Sequence, residues 1–345
     1  MKNIIAKKAF PRITSLIAFI LLLFIIPFFV SSGYVIQSLI MVFLYAYWSS
    51  AFNIISGFAG QLSIGHAAYI GTGAYVTAIM FNEFQISPWI GMILGGIVAS
   101  LLSAIISFPC FKLQGSYFTL STVALSSVIL LIVLQEETIL GFKTNGAMGI
   151  KIPWGGESFL NMQFLDKRFY YYIILIMLIL VVLVSWKIKN SKTGYYLSAI
   201  KTNQEAASSL GVNTVLYKLK AMMISSFLVA MGGGFYAMLI QFLDPATILG
   251  YDLSVRVMMY AVVGGLGTIP GPLLGAFLLV PINEISRSYL GTSYAGLSEI
   301  IFGLILMFVI FFQPQGLMAF INSIRTKKDN KLALKNDGDE DDLYE

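Results

Sequence analysis

Long apolar runs alternate with short polar segments along the chain, and this pattern predicts a bundle of membrane-spanning helices. A run of about 20 apolar residues is long enough to cross the hydrocarbon core of a bilayer as a helix. The strongest runs are continuous and do not alternate residue by residue, which favours helices over the strands of a transmembrane barrel. The predicted fold is an all-α polytopic membrane protein with about ten spans. The expected spans are 13–30, 35–56, 66–82, 89–109, 117–134, 169–187, 221–242, 253–267, 272–286 and 296–313.

Composition supports this class of protein. The 345-residue chain is 57% hydrophobic and 11% charged, whereas soluble domains average about 25% charged residues. Its net charge of +5 is modest and lies mostly in flanks and loops, so it indicates membrane topology and no nucleic-acid partner is expected. The one cysteine, Cys110, excludes an intramolecular disulfide. No phosphate loop of the GxxxxGK[ST] type is present, so the chain is not expected to bind ATP in that way.

Lys and Arg set the expected orientation, because cytoplasmic loops carry the excess of positive charge. The N-terminal tail, 1–12, holds four positive charges and is placed in the cytoplasm. The apolar run after it is long for a signal peptide and lacks a small-residue cleavage site, so it is predicted to remain as the first helix. Ten helices within a transmembrane domain, 13–317, then put the basic loop 188–220 and the tail 318–345 in the cytoplasm, and the segment 135–168 outside. The acidic end of the tail is expected to be disordered.

The middle of every predicted span lacks Asp, Glu, Lys and Arg. A charge at the centre of a membrane helix costs about 2.5–3.5 kcal/mol on insertion scales, and ion-coupled carriers keep such charges for function. Glu284 and Arg287 are spaced to pair near the outer end of a helix, as an interface ion pair would be. The pattern argues against a proton relay or a voltage sensor. It predicts a path lined by hydroxyls, amides and backbone, driven from outside the chain.

Two glycine-rich segments interrupt the spans. The first contains Gln61, Ser63 and His66 and is either a broken helix that forms a polar site or a helix connection with small residues for packing. His66 is the one histidine and has no partners at metal-ligand spacing, so a hydrogen-bonding or capping role is expected and no metal site. The second segment includes two prolines and predicts a tight cytoplasmic hairpin. The structural glycines of these segments are Gly57, Gly60, Gly65, Gly264, Gly265, Gly267 and Gly271.

Two stripes of small or polar residues lie on helix faces. Ser226, Ala230 and Gly234 recur every four residues and predict close helix packing. A second stripe, Thr119, Thr122 and Ser126, either lines a polar path or forms hydrogen bonds between helices. The candidate substrate pathway is Gln61, Ser63, His66, Thr119, Thr122 and Ser126.

The basic loop 188–220 contains the segment Glu205-Ala206-Ala207-Ser208-Ser209-Leu210-Gly211. Asn203 is a suitable helix cap, the two alanines favour helix, and Gly211 is a suitable stop. A short cytoplasmic helix of this kind is either a surface for a partner that transmits a push or a solvated linker.

Several segments together resemble the LivM-type permease subunit of branched-chain amino-acid ABC importers. They are Gly57–Tyr75 (GFAGQLSIGHAAYIGTGAY), Thr144–Ile150 (TNGAMGI), Glu205–Lys220 (EAASSLGVNTVLYKLK), Gly264–Gly275 (GGLGTIPGPLLG) and Phe302–Leu317, which ends QPQGL. The resemblance covers about 13–317. It implies an ABC-importer permease bundle in the bacterial cytoplasmic membrane, with both termini in the cytoplasm.

The resemblance also implies the partners. They are a LivH-like sister permease, two cytoplasmic ATPase subunits that bind ATP and Mg²⁺, and an extracytoplasmic substrate-binding protein, while this chain holds no cofactor. The family's ATPase-coupling role carries over to Glu205, Ala206, Ala207 and Gly211. The chain departs from the wider pattern further on, because no Ile-x-Leu-Pro follows and Leu219-Lys220-Ala221 stands nearby instead.

The function predicted is import of branched-chain or similar amino acids by alternating access, without a catalytic site of its own. An alternative within the class is another small neutral solute, such as urea, a short amide or a nucleoside. An alternative of a different class is a stand-alone channel or ion-coupled carrier, which predicts transport by the purified chain alone.

Overall fold

The computed structural model describes residues 22–290, except 31, 112, 114 and 140, and scattered positions between 300 and 323. Most of this part of the chain is helical. Its helices are α1 Gly33–Asn53, α2 His66–Phe84, α3 Pro88–Cys110, α4 Ser116–Gln135, α5 Lys167–Lys189, α6 Lys192–Thr202, α7 Gln204–Ser209, α8 Thr214–Ile240, α9 Pro245–Leu249, α10 Tyr251–Gly264 and α11 Gly271–Leu290. A π-helical turn, Ile54–Phe58, continues α1, and residues 22–29 are also helical.

Eight of the predicted spans coincide with α1 to α5, α8, α10 and α11 to within a few residues at most ends. The all-α membrane fold is therefore confirmed. Five helices of the described chain, α1 with its π turn, α3, α4, α5 and α8, are long and apolar enough to cross a bilayer by length and composition. The first predicted span is described only over its second half, and the tenth, with both tails, falls mostly outside the described residues, so the total of ten stays a prediction.

Helix α1 lies at the centre of the bundle and packs against α5, α8, α10 and α11. Its second half is buried on every side, including Phe43, Trp48 and Phe52. A helix without a polar face can be buried in this way. Trp48 Nε1 donates a hydrogen bond to the Val229 carbonyl of α8 at 3.1 Å, so the indole N–H is satisfied inside the core.

Small residues bring α2, α3 and α8 close together. A Cβ at Gly73 of α2 would lie 2.1 Å from the Ala230 carbonyl oxygen of α8, and one at Gly233 would lie 2.0 Å from the Ile70 carbonyl oxygen. Ser226 Oγ donates to Ser103 Oγ of α3 at 2.7 Å. The predicted packing role of the stripe Ser226, Ala230 and Gly234 is confirmed, because these contacts allow the backbones to approach.

The ends of the bundle differ in structure. At the end opposite the basic loop, two short antiparallel pairs form between β1 Thr138–Ile139 and β2 Phe142–Lys143, and between β3 Ile150–Lys151 and β4 Phe242–Leu243. A Cβ at Gly149 would lie 2.2 Å from the Leu243 carbonyl oxygen, so the second pair requires a glycine there. The basic loop folds into α6 and α7.

The two glycine-rich segments are both connections between helices. Residues 59–65 join the π turn to α2 without regular structure, and Gly60 approaches the side chain of Lys201 on α6. The first segment is therefore a helix connection at the end of the bundle that carries the basic loop. The second is the predicted hairpin, in which a Cβ at Gly264 would lie 1.7 Å from the Gly271 carbonyl oxygen.

Candidate functional site

The two glycine-rich connections meet at Asn53, in the last turn of α1. Its Oδ1 accepts a hydrogen bond from the Gly267 backbone N–H at 2.8 Å, and its Nδ2 donates one to the Thr268 carbonyl at 2.8 Å. The side chain is 1% exposed, so a buried amide has partners at both ends. One residue thus joins the end of α1 to the α10–α11 hairpin.

Glycine is required where these connections touch. A Cβ at Gly57 would lie 1.8 Å from Asn53 Oδ1 and 2.6 Å from the Gly267 nitrogen. Gly267 has a φ of 82°, a left-handed conformation that favours glycine. Gly316 adds a third segment, since a Cβ there would lie 2.6 Å from Gly265 Cα. Residues from three of the motifs that carry the family resemblance are therefore in contact.

Two lysines of the basic loop bind the carbonyl groups of these connections. Lys201 Nζ, on α6, donates to the Gly57 carbonyl at 2.9 Å, and Lys189 Nζ, at the end of α5, donates to the Gly267 carbonyl at 3.1 Å. The ends of helices present carbonyl oxygens and carry partial negative charge, so cations are favourable there. The loop is consequently attached to the end of α1 and to the α10–α11 hairpin. We call Asn53, Gly57, Gly267, Lys189 and Lys201 the turn cluster.

The segment around Glu205 forms the short helix α7. Asn203 Oδ1 accepts from the Ala206 backbone N–H at 3.0 Å and caps the helix, and Gly211, with a φ of 86°, follows its end. Ala207 is buried, whereas Glu205 and Ala206 are exposed. Leu210, just after the end of α7, is 86% exposed. The four predicted coupling residues thus divide into one that fixes the helix and three that face solvent.

Helix α7 is also joined to the transmembrane helix that follows it. Lys218, in the second turn of α8, is 1% exposed and donates from Nζ to Gln204 Oε1 at 2.5 Å. The same ammonium lies 5.9 Å from the centre of the Phe111 ring, at the end of α3. A buried cation needs such partners, because burial without them is costly. Helices α7 and α8 are therefore in direct side-chain contact.

The predicted pathway residues come together in part. Thr119 Oγ1 of α4 donates to the Leu62 carbonyl at 2.8 Å, and Thr122 Oγ1 accepts from the Ile64 backbone N–H at 3.2 Å. The 59–65 connection, which contains half-buried Gln61 and buried Ser63, therefore lies against the hydroxyl stripe of α4. Ser126, one turn further along α4, is buried and its hydroxyl has no partner in the described chain.

His66 faces away from this stripe. Its Nε2 lies 3.0 Å from Ser225 Oγ on α8 and its Nδ1 lies 3.3 Å from the Ser63 carbonyl oxygen. The ring is fully buried and packs edge-on against Phe52, with ring centres 4.9 Å apart. His66 joins α2 to α8 as a hydrogen-bonding residue. Within the described ranges, no group of three His, Cys, Asp or Glu side chains is placed to hold a metal ion.

The residues that connect the loop to the bundle were not among the sequence candidates. Asn53 is a polar residue within an apolar run, which is a usable signal, but nothing in the sequence identifies Gly267 as its partner 214 positions away. Lys189, Lys201 and Lys218 appear in the sequence only as topology charges. Leu210 lies inside the predicted coupling segment, yet its exposure is a property of the folded chain.

Comparison with known proteins agrees with this architecture. The chain is 25% identical to the LivM permease protein of the high-affinity branched-chain amino acid transport system of Escherichia coli K12, over 88% of this chain and 74% of that protein. It is 22% identical to the LivH permease protein of Salmonella typhimurium LT2, over 79% of this chain and 91% of that protein. It is also 23% identical to the nucleoside ABC transporter permease protein NupC of Lactococcus lactis, over 73% and 81%.

No solved structure matches the chain. The sequence model of one family, described as "Branched-chain amino acid transport system / permease component", matches residues 34–310, which is most of the chain. The chain belongs to the family of permease components of branched-chain amino acid transport systems.

Proposed function

We propose that this chain is one of the two permease subunits of an ATP-driven importer of branched-chain amino acids. Its similarity to both a LivM and a LivH protein supports pairing with a LivH-like sister permease. The remaining partners would be two cytoplasmic ATPase subunits that bind ATP and Mg²⁺, and an extracytoplasmic substrate-binding protein. The permease would hold no cofactor or catalytic site, and both termini would lie in the cytoplasm of a bacterium.

The turn cluster supports a mechanical role for the loop. In the proposed cycle, ATP binding draws the two ATPases together and displaces α7, whose exposed face carries Glu205 and Leu210. Because Lys201 and Lys189 hold the Gly57 and Gly267 carbonyls, a displacement of the loop moves the ends of α1 and α10. The helices then alternate the side on which the path is open. The contact between the loop lysines and the glycine connections is the observation that carries this proposal.

Replacement of Glu205 by Lys tests the coupling step. The side chain is exposed, so the fold should tolerate the change, and a reversed charge on the docking face should lower uptake about tenfold or more relative to ATP hydrolysis. The measurement is substrate uptake and ATPase activity of the full importer in proteoliposomes. The matched control is Glu83→Lys. Glu83 is an exposed carboxylate in the last turn of α2, at the end of the bundle away from the basic loop, and its replacement should leave uptake and ATPase activity as in the wild type. Normal uptake by Glu205→Lys would contradict the coupling role.

Leu210→Asp tests docking separately from coupling. Docking would bury the apolar surface of this side chain, which is 86% exposed, and a carboxylate buried there without a partner would oppose docking. The variant should retain less ATPase in co-purification, and it should leave the pairing with the sister permease unchanged.

A second candidate within the same class is a nucleoside importer, which the similarity to NupC supports. The decisive measurement is the ligand of the binding protein that stimulates ATP hydrolysis by the assembled complex. A branched-chain amino acid supports the main proposal, and a nucleoside replaces it with the second.

A further inference from the structure

A crevice of about 400 Å³ lies between α2, α3 and α4, in the half of the bundle away from the basic loop. Its wall includes Tyr75 and Ile79 of α2, Leu102 of α3, and Ile129 and Val133 of α4. Nearly all of this wall is aliphatic or aromatic. The volume falls within the range of small-molecule sites in proteins, about 300–1,000 Å³.

The crevice exists because α4 contacts the rest of the bundle along a narrow face. Among the five long apolar helices of the described chain, α4 is the least buried. The buried residues on it, Phe118, Thr122, Ser126 and Val133, recur at helical spacing, and the side chains on either side diverge from α2 and α3. A gap therefore opens where α4 separates from its neighbours.

Two buried hydroxyls near the crevice lack partners in the described chain. The Tyr75 side chain, which lines the crevice, is 5% exposed and its OH makes no hydrogen bond. Ser126 Oγ, about one turn from Ile129 towards the basic loop, is also unsatisfied. Leaving such a group unpaired costs about 1–3 kcal/mol, so both hydroxyls are suited to a ligand that can hydrogen-bond. The crevice is thus apolar along most of its wall, with one unpaired buried hydroxyl, that of Tyr75, in the wall and a second, that of Ser126, about one turn beyond it.

We propose that this crevice receives the aliphatic side chain of the transported amino acid, with the Tyr75 hydroxyl in its wall available to the polar groups. The inference rests on the proposed function and adds a site that favours a branched side chain inside the membrane. A solute with an apolar end and a polar end matches an apolar wall that carries an unpaired buried hydroxyl. A lipid acyl chain would fill the apolar space and leave the Tyr75 hydroxyl unpaired.

Filling the crevice tests this inference. In Ile129→Trp the indole would occupy the space, so leucine uptake should fall about tenfold. Alanine uptake should fall no more than about threefold, because the alanine methyl group does not need the space that the indole fills. The assay is competitive uptake by the complete importer, with binding-protein affinities measured separately. Leu131→Trp, on the 53% exposed face of the same helix, is the control and should keep the wild-type ratio.

Two further variants keep the inference testable if Ile129→Trp does not assemble. Ile129→Ala should raise the uptake of phenylalanine relative to valine, because it enlarges the crevice. Tyr75→Phe removes only the hydroxyl and should raise the KM for uptake several-fold at unchanged yield of the complex.

An equal loss of uptake for all amino acids in Ile129→Trp would overturn the inference. So would release of a bound lipid by Ile129→Trp, seen in native mass spectrometry, without a change in the uptake ratio. Failure of the wild-type importer to transport any branched-chain amino acid would instead overturn the proposed function.

Discussion

At the scale of single residues, the turn cluster forms only because glycine has no β-carbon. Gly57 and Asn53 share a space in which no β-carbon fits, and the hydrogen bonds from Asn53 to the hairpin require that space. The contact between the end of α1 and the hairpin therefore requires glycine at position 57.

Gly57→Ala should destabilise the end of the bundle that carries the basic loop. Its Cβ would lie 1.8 Å from Asn53 Oδ1, so the amide must move and lose its hydrogen bonds to the hairpin. Overpacking of a buried site costs about 1–3 kcal/mol. The measurement is the thermal midpoint of the purified complex, which should fall by several degrees. Gly33→Ala is the matched control, because nothing lies within 4 Å of a Cβ there, and an equal fall in both variants would contradict the role of the cluster.

Contacts between single residues were also the part of the structure that the sequence predicted least well. The sequence indicated that Gly57 and Gly267 matter, and it placed Asn203 correctly as the cap of α7. The hydrogen bond between Asn53 and Gly267 and the contact between His66 and Ser225 could not be predicted from the sequence. Such contacts depend on how distant helices pack, and the hydrophobic pattern of the sequence carries no information about that.

At the scale of elements, α6 and the end of α5 each contribute one lysine that binds one of the two glycine-rich segments. Lys201 reaches the first and Lys189 the second, while Lys218 joins α7 to α8. The helices themselves followed from the apolar runs to within a few residues at most ends. Helix α8 begins at Thr214, seven positions before the predicted span at 221, because Asn213 caps it in the polar region before the apolar run begins.

Lys201→Met should weaken the transmission of force and leave docking intact. Methionine keeps the length of the side chain and removes the ammonium that binds the Gly57 carbonyl. Loss of one charged hydrogen bond at a partly exposed site should reduce substrate imported per ATP about fivefold. Lys192→Met, at an exposed position on the same helix, is the control. If Lys201→Met imports as much substrate per ATP as wild type, Lys201 is not a coupling contact.

At the scale of the whole molecule, the charge pattern and the packing describe the same arrangement. The basic loop and both glycine-rich connections lie at one end of the bundle, and the short strand pairs lie at the other. Topology from Lys and Arg assigns the first of these ends to the cytoplasm.

Cysteine labelling can test this orientation. Cys110 is buried, so it should not react with an impermeant maleimide and serves as an internal negative. Ser209→Cys, exposed at the end of α7, should react only in inverted vesicles, and Met148→Cys, 85% exposed at the other end, should react only in intact cells. The reverse pattern would place the ATPases' docking face outside and exclude the proposed mechanism.

The Asn53 contact has a consequence for how the permease can move. Because this one amide fastens the end of α1 to the α10–α11 hairpin, neither can travel without the other while its hydrogen bonds persist. A conformational change at this end of the bundle should therefore move the end of α1 and the hairpin as one unit, and separating them should require the loss of both hydrogen bonds.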